Sequence, residues 1–128
     1  MHDRPARYIE NHDGDSVTLL IDQDFFDSKQ INIRLANVWA PELGKDEGAE
    51  ECQEFVADWF LRQIVATGHS KWDCIVITHQ TSTGNEKKTL DRFVADVMSA
   101  DGKEHLNSDV MAFITERGYS GGTGAPTR

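Results

Sequence analysis

Four charged residues, spread along the chain, have the types and the order that phosphodiester chemistry needs. Asp15 lies in the turn sequence Asp-Gly-Asp-Ser at residues 13–16, and Arg34 lies in a stretch of alternating apolar residues. Glu42 follows a proline, and Arg92 comes much later, beside a second apolar run. Carboxylates can hold a hard cation and manage the proton of an attacking water, and guanidinium groups grip phosphate oxygens with paired N–H donors. The set therefore predicts a phosphate or metal site.

Each of these residues also has a simpler structural interpretation. Asp13 and Asp15 are typical turn formers. Arg34 and Arg92 could form surface ion pairs, and Glu42 could be an acid that precedes a helix. Each simple interpretation is reasonable alone, but together they must explain four independent positions, so we favour the site.

Composition sets limits on how such a site would bind nucleic acid. The chain has 128 residues, with 22 acidic and 13 basic side chains and a formal net charge of −9. This balance argues against a broad basic binding surface, because phosphate contacts dominate nucleic-acid affinity. It leaves room for a local pocket that contains two arginines. The length predicts one domain over residues 1–120, with a polar tail over residues 121–128.

The chain shows no apolar run of membrane-spanning length, and its first residues (MHDRPARY) lack the apolar core of a secretory signal. We therefore expect a cytoplasmic protein without a membrane partner. Cys52 and Cys74 leave two states open, a pair of reduced and partly buried thiols or a disulfide. The five histidines have no metal-ligand spacing, and only His12 lies near the candidate site in the sequence.

Hydrophobic periodicity predicts three strands, a helix, two strands and a second helix. The predicted strands cover residues 7–13, 16–22, 30–38, 72–79 and 90–98. The predicted helices run over 47–66 and from a cap at Asn107 or Ser108 to Arg117-Gly118, and residues 81–88 form a polar loop between strands. This order predicts a mainly β, α+β fold in which a five-stranded OB-type barrel packs against two helices. Arg34 should point away from the barrel interior, because side chains alternate along a strand and its neighbours Ile33 and Leu35 are apolar.

The segments HDGDSVTLLI, INIRLANVWAPE, LDRFVADV and DGKEHLN, the last leading into a helix that ends in ERG, occur in this order across residues 8–118. In combination they resemble the staphylococcal nuclease family. The resemblance implies an OB barrel with packed helices and calcium-dependent cleavage of DNA and RNA.

The resemblance also implies a role for each site residue. Asp15 would be a calcium-ligating carboxylate, with Asp13 supporting the outer shell of the metal. Arg34 would contact the scissile phosphate, and Arg92 would hold it from the opposite side. Glu42 would position or deprotonate the attacking water.

Two positions depart from the family pattern. The family usually has an aspartate as second calcium ligand two residues before the proline, where this chain has Trp39. The backbone carbonyl of Ala40 could still serve as a ligand. The site would then bind calcium weakly, because affinity follows the number of ligand charges. Before Arg92, the family typically has Asp-x-Tyr-Gly-Arg, where this chain has Lys-Thr-Leu-Asp-Arg.

Two functional hypotheses follow from these residues. The first is a calcium-dependent nuclease that hydrolyses DNA or RNA. The second is a catalytically degenerate module that serves as a structural or binding component of a larger assembly, such as a phage virion. Trp39, the acidic balance and the tail GGTGAPTR favour the second, and the acid and arginine set favours the first.

Overall fold

The computed structural model describes residues 2–23, 27–41, 44, 47–78, 88–89 and 92–119. Within these residues the chain forms six strands and two helices. The strands are β1 (His2–Asn11), β2 (Ser16–Asp22), β3 (Ser28–Leu35), β4 (Cys74–Thr78), β5 (Lys88–Thr89) and β6 (Arg92–Ser99). The helices are α1 (Ala49–Ala66) and α2 (Leu106–Arg117). No helix among these residues is long and apolar enough to cross a membrane.

Five of the strands close into a barrel. β1, β2 and β3 form an antiparallel meander. On its other edge β1 pairs with β4, and β4 pairs with β6. A parallel pairing of β3 with β6 closes the circle, and the short β5 adds to the outside of β6. The closed five-stranded barrel with two helices is consistent with the OB-like architecture predicted from the sequence.

Alternation along the strands fills the barrel. Val17, Leu19 and Ile21 of β2 are all at most 3% exposed, as their spacing predicts. Ile33 and Leu35 of β3 are fully buried, whereas Arg34 between them keeps a partly exposed side chain. The prediction that Arg34 points away from the interior is therefore confirmed.

The helices cover one part of the barrel and pack against each other. The buried face of α1 includes Trp59 and Phe60, and Phe60 stacks on Tyr8 of β1 at a centroid distance of 4.5 Å. Phe55 stacks on Phe113 of α2, also at 4.5 Å. The helix begins two residues later than predicted, because Gly48 takes a left-handed conformation with φ of 87° and a helix cannot extend through it.

The predicted cap of α2 is wrong. The cap position is His105, and Asn107 and Ser108 both lie inside the helix. The imidazole of His105 bonds to Ser108 Oγ at 2.7 Å and to Asp96 Oδ1 at 2.8 Å, which ties the helix start to β6. Asn107 is free to bond elsewhere and its amide is buried between α2 and the barrel.

The bounds of β1, β3, β4 and β6 also differ from the prediction, most at the start of β1 and the end of β3. β1 begins at His2 rather than at residue 7, because residues 2–6 pair with β4, although Ala6 is the only buried side chain among residues 3–6. That segment therefore shows no apolar alternation. β3 ends at Leu35 rather than at Val38, because Asn37 turns the chain with a φ of 59°. Lys88, the last residue of the predicted polar loop, instead begins the short strand β5, which was not predicted. The rest of that loop, residues 81–87, and the predicted tail, residues 121–128, lie outside the described residues. Cys52 and Cys74 are both buried free thiols.

Candidate functional site

Asp15 is held in a tight turn between β1 and β2. The N–H of His12 donates to the carbonyl of Ser16 at 3.0 Å, and the N–H of Leu35 donates to the carbonyl of Asp15 at 2.8 Å. A Cβ on Gly14 would lie 2.8 Å from the Cβ of Cys52 in α1, so the turn approaches the helix more closely than a side chain permits. The turn that carries Asp15 is thus bonded to β3 and packed closely against α1.

The carboxylate of Asp15 lies against three donors from its own chain. Its Oδ2 accepts from the N–H of Ala40 at 3.3 Å and lies 3.8 Å from Nη2 of Arg34. Its Oδ1 accepts from the hydroxyl of Ser16 at 3.3 Å. Only 14% of the Asp15 side chain is exposed. Three of the predicted site residues, Asp15, Arg34 and Ala40, therefore meet at one place.

Burial raises the pKa of the Asp15 carboxyl above its ordinary value. The charge of Arg34 and the N–H of Ala40 oppose this rise, and the nearby charge of Asp13 adds to it. The ionised carboxylate is therefore poorly solvated and would gain from further positive charge beside it. A divalent cation would supply that charge.

Arg34 is anchored at two points. Its Nη1 donates to the carbonyl of Leu35 at 3.1 Å, and its Nη2 faces Asp15. The side chain is 21% exposed, so the guanidinium borders solvent while its direction is fixed. A guanidinium has five N–H donors, which leaves capacity for a phosphate oxygen.

Arg92 is the first residue of β6, the strand that pairs with β3. Its successor Phe93 pairs with Ile33, and Val94 pairs with Arg34. The backbone of Arg92 therefore lies on the strand next to Arg34, two residues before Val94, which is the residue opposite Arg34. The placement of the Arg92 side chain and of Glu42 lies outside the described residues, so the convergence of all four groups stays a prediction.

Trp39 and Ala40 follow the end of β3. Trp39 is partly buried, at the position where the resemblance expects a ligand. Within the described ranges, no group of three or more His, Cys, Asp or Glu side chains is placed to hold a metal ion. The carboxylate of Asp15 lies beside the backbone of Ala40, whose N–H donates to it.

A polar groove of about 310 Å³ lies beside the Ser16–Arg34 pair, on the outer face of β1, β2 and β3. Its polar lining residues are Glu10, Asn11, His12, Ser16, Thr18 and Asn32. Thr18 and Asn32 were not among the predicted site residues. Each lies at an outward position of an alternating strand, where a polar residue is expected whether or not it has a function.

Chemically, the arrangement combines one desolvated carboxylate, one anchored guanidinium and an adjoining groove rich in amide and hydroxyl groups. The carboxylate suits a cation and the guanidinium suits a phosphate. The two groups equally suit an internal ion pair that fastens the turn to β3.

Neither a scan against protein-family models nor a search of curated proteins finds a match to this chain.

Proposed function

We propose that this protein is a metal-dependent phosphodiesterase that hydrolyses DNA or RNA. The observation that carries the proposal is the pairing of Asp15 with Arg34, 3.8 Å apart and largely shielded from water at the turn into β2. Together with the resemblance to the staphylococcal nuclease family, the pair supports a site that binds a cation on one side and a phosphate on the other.

In this proposal Arg34 and Arg92 bind the non-bridging oxygens of the phosphate, and their charge stabilises the negative charge that develops there. Glu42 takes a proton from a water, whose oxygen attacks phosphorus in line with the departing oxygen. The P–O bond to that oxygen breaks as the new bond forms. A calcium ion held by Asp15 and the Ala40 carbonyl would polarise the phosphate.

The metal site would be weak. Calcium prefers six to eight oxygen ligands, and its affinity rises with the number of carboxylates. Trp39 replaces one expected carboxylate, so we expect a requirement for about millimolar metal, as in weak extracellular sites. Trp39→Asp should tighten metal binding, and calorimetry showing submicromolar calcium affinity in the unmodified protein would contradict this account.

The direct test is cleavage of single- and double-stranded DNA and of RNA with added calcium, against a chelator control. Arg34→Lys should reduce cleavage strongly, because an ammonium cannot make the two-pronged contact. Arg7→Lys, on an exposed position of β1, is the matched control and should leave cleavage unchanged. Glu42→Gln should remove most activity, with the exposed Glu116→Gln as its control. Equal activity in the chelator or in Glu42→Gln would refute the proposal.

A second candidate is a non-catalytic module within an assembly. It is favoured by the donors that already surround Asp15, since Ala40, Ser16 and Arg34 satisfy the carboxylate without any ligand. On this account the site residues only fasten the turn, and Trp39 lies at a protein interface, where tryptophan is enriched. A protein that cleaves no substrate with any divalent metal and co-purifies with a partner through Trp39 would support it.

A further inference from the structure

We propose that one end of the barrel interior binds a small monocarboxylate with an apolar body. A cavity of about 310 Å³, which we call the end cavity, occupies this end and has the size of a small-ligand site. Its described lining residues are Arg4, Ile21, Gln23, Ile31, Ile33, Thr78 and Phe93. The inference does not depend on the proposed function, because the end cavity belongs to the inner face of the barrel and Arg34 points away from that face.

The inner faces of all five barrel strands meet at the end cavity. Arg4 precedes the fully buried Ala6 of β1 by two residues, and Thr78 follows the fully buried Val76 of β4 by two. Both therefore belong to the inner face, since every second residue of a strand points to the same side. The segments of β2, β3 and β6 contribute further lining residues. The helix α1 packs close to Gly14, in the turn at the opposite end of β1, and the mouth of a β-barrel is a common place for a small ligand.

The walls of the end cavity are mostly apolar and carry one positive charge. Three isoleucines and one phenylalanine form the apolar part, namely Ile21, Ile31, Ile33 and Phe93. Such walls favour a hydrocarbon body, because its apolar surface leaves water when it binds. Among the described lining residues Arg4 is the cation, and none of them is an acid. One cation beside apolar walls suits a single carboxylate that is attached to an apolar group.

Thr78 supplies a second polar contact for this ligand. Its side chain is 7% exposed, and its Oγ1 is buried without a hydrogen-bond partner among the described residues. Nearly all buried hydroxyls in proteins are hydrogen-bonded, so an unpartnered one gains from any acceptor that reaches it. Rotation about χ1 exchanges the hydroxyl and the methyl of a threonine between staggered positions, and no hydrogen bond holds this hydroxyl where it is. A carboxylate oxygen in the cavity would be such an acceptor.

Arg4 and Thr78 are close enough to share one carboxylate. Arg4 pairs with Val76, so Thr78 is its diagonal neighbour on the adjacent strand, about 7–8 Å away along the backbone. Arg4 is half-buried, and its Nη1 donates to the carbonyl of Asp22 at 3.5 Å. A guanidinium has five N–H donors, so a carboxylate adds to its contacts or replaces a weak one. The ligand's two oxygens would accept from Arg4 and from Thr78, with the apolar body against the isoleucines.

The test is a titration of the full chain, followed by NMR of isotope-labelled isoleucine methyl groups. Three probes separate the contributions: hydrocinnamate has the ring and the charge, hydrocinnamamide has the ring alone, and acetate has the charge alone. We expect hydrocinnamate to shift the methyl signals of Ile21, Ile31 and Ile33 with a Kd of about 1 mM or lower, and to leave the exposed Ile9 unchanged. The amide and acetate should each bind at least about tenfold more weakly.

Two variants test the polar contacts. Arg4→Gln should raise Kd for hydrocinnamate by about tenfold or more and abolish the preference for the acid over the amide, because a charge-assisted bond is lost. Arg7→Gln, at an exposed position of β1, is the matched control and should leave both affinities unchanged. Thr78→Val should raise Kd for hydrocinnamate and at the same time raise Tm of the ligand-free protein, because it removes a buried hydroxyl that has no partner. A general loss of folding would not give these two opposite changes.

Several results would overturn the proposal. Shifts of Ile9 alone, or no shift of the three lining isoleucines up to about tenfold above the expected Kd, would remove the end cavity as a binding site. Equal affinity for the acid and the amide would remove the carboxylate as the recognised group. Equal affinity for acetate and hydrocinnamate would remove the apolar body. Unchanged hydrocinnamate binding in both Arg4→Gln and Thr78→Val would remove the assigned contacts.

Discussion

Asn107 should be among the most sensitive positions for folding. It is 4% exposed and its amide joins α2 to two segments of the barrel. Its Oδ1 accepts from the N–H of Val97 at 3.0 Å, and its Nδ2 donates to the carbonyls of Ala36 and Ala95 at 3.0 and 3.1 Å. One side chain therefore holds β6, the segment after β3 and the first turn of α2 together.

The cost of Asn107→Ala follows from the groups that lose this partner. The carbonyl of Ala95 keeps a second donor, the N–H of Ala36 at 2.8 Å. The N–H of Val97 and the carbonyl of Ala36 lose the amide, and each buried polar group left without a partner costs about 1–3 kcal/mol. The free energy of unfolding should therefore fall by about 2–6 kcal/mol, which is a large part of the ~5–15 kcal/mol typical of a domain.

Urea unfolding followed by tryptophan fluorescence measures this loss, since Trp59 of α1 is fully buried and its indole N–H donates to Asp109 Oδ2 of α2 at 3.0 Å. Thr115→Ala, at an exposed position of α2, is the control and should change stability by less than about 0.5 kcal/mol. Asn107→Asp keeps the acceptor but places a carboxylate near two carbonyl oxygens, so its loss should be greater at neutral than at acid pH. A loss below about 1 kcal/mol for Asn107→Ala would refute the assigned role.

Three further substitutions test other parts of the structure. Asp73 is 1% exposed and accepts from the Tyr8 N–H at 3.3 Å. Burial raises the pKa of its carboxyl, so the ionised form at neutral pH lowers the free energy of unfolding, whereas the protonated form at low pH carries no such penalty. Asp73→Asn keeps an acceptor and should raise Tm at pH 7, with the gain shrinking as pH falls; a lower Tm at pH 7 would contradict this. Gly14→Ala would place a Cβ 2.8 Å from that of Cys52 and should cost about 1–3 kcal/mol in chemical unfolding, whereas a neutral result would mean that the turn is not tightly packed. Millimolar calcium should raise Tm of the unmodified protein but not of Asp15→Asn, and equal shifts in calorimetry would place the cation elsewhere.

The barrel could be predicted because its strands carry a strong period. Val17, Leu19 and Ile21 alternate with outward residues, and the structure buries all three. The first half of β1 could not be predicted in the same way. Pro5 and its neighbours owe their strand to pairing with β4, and a pairing partner leaves no local signal when the side chains point outward.

The buried polar residues show a second limit of sequence reasoning. Asn107 has the residue type of a helix cap and a position two residues after the real cap, His105. Its buried role depends on carbonyls of Ala36 and Ala95, which are 71 and 12 residues away along the chain. Asp73 likewise meets the N–H of Tyr8 across 65 residues. A local pattern contains neither contact.

One contact of the candidate site could be predicted from the sequence, and another could not. The pairing of Asp15 with Arg34 follows from strand register, because Ser16 lies opposite Arg34 and Asp15 immediately precedes it. The contact of Asp15 with the N–H of Ala40 does not follow, because it depends on how the chain turns after β3 at Asn37. That turn brings the segment after β3 back over the carboxylate and buries it. The same burial that raises the pKa of Asp15 would make added positive charge favourable beside the carboxylate, so the proposed cation site would depend on this turn.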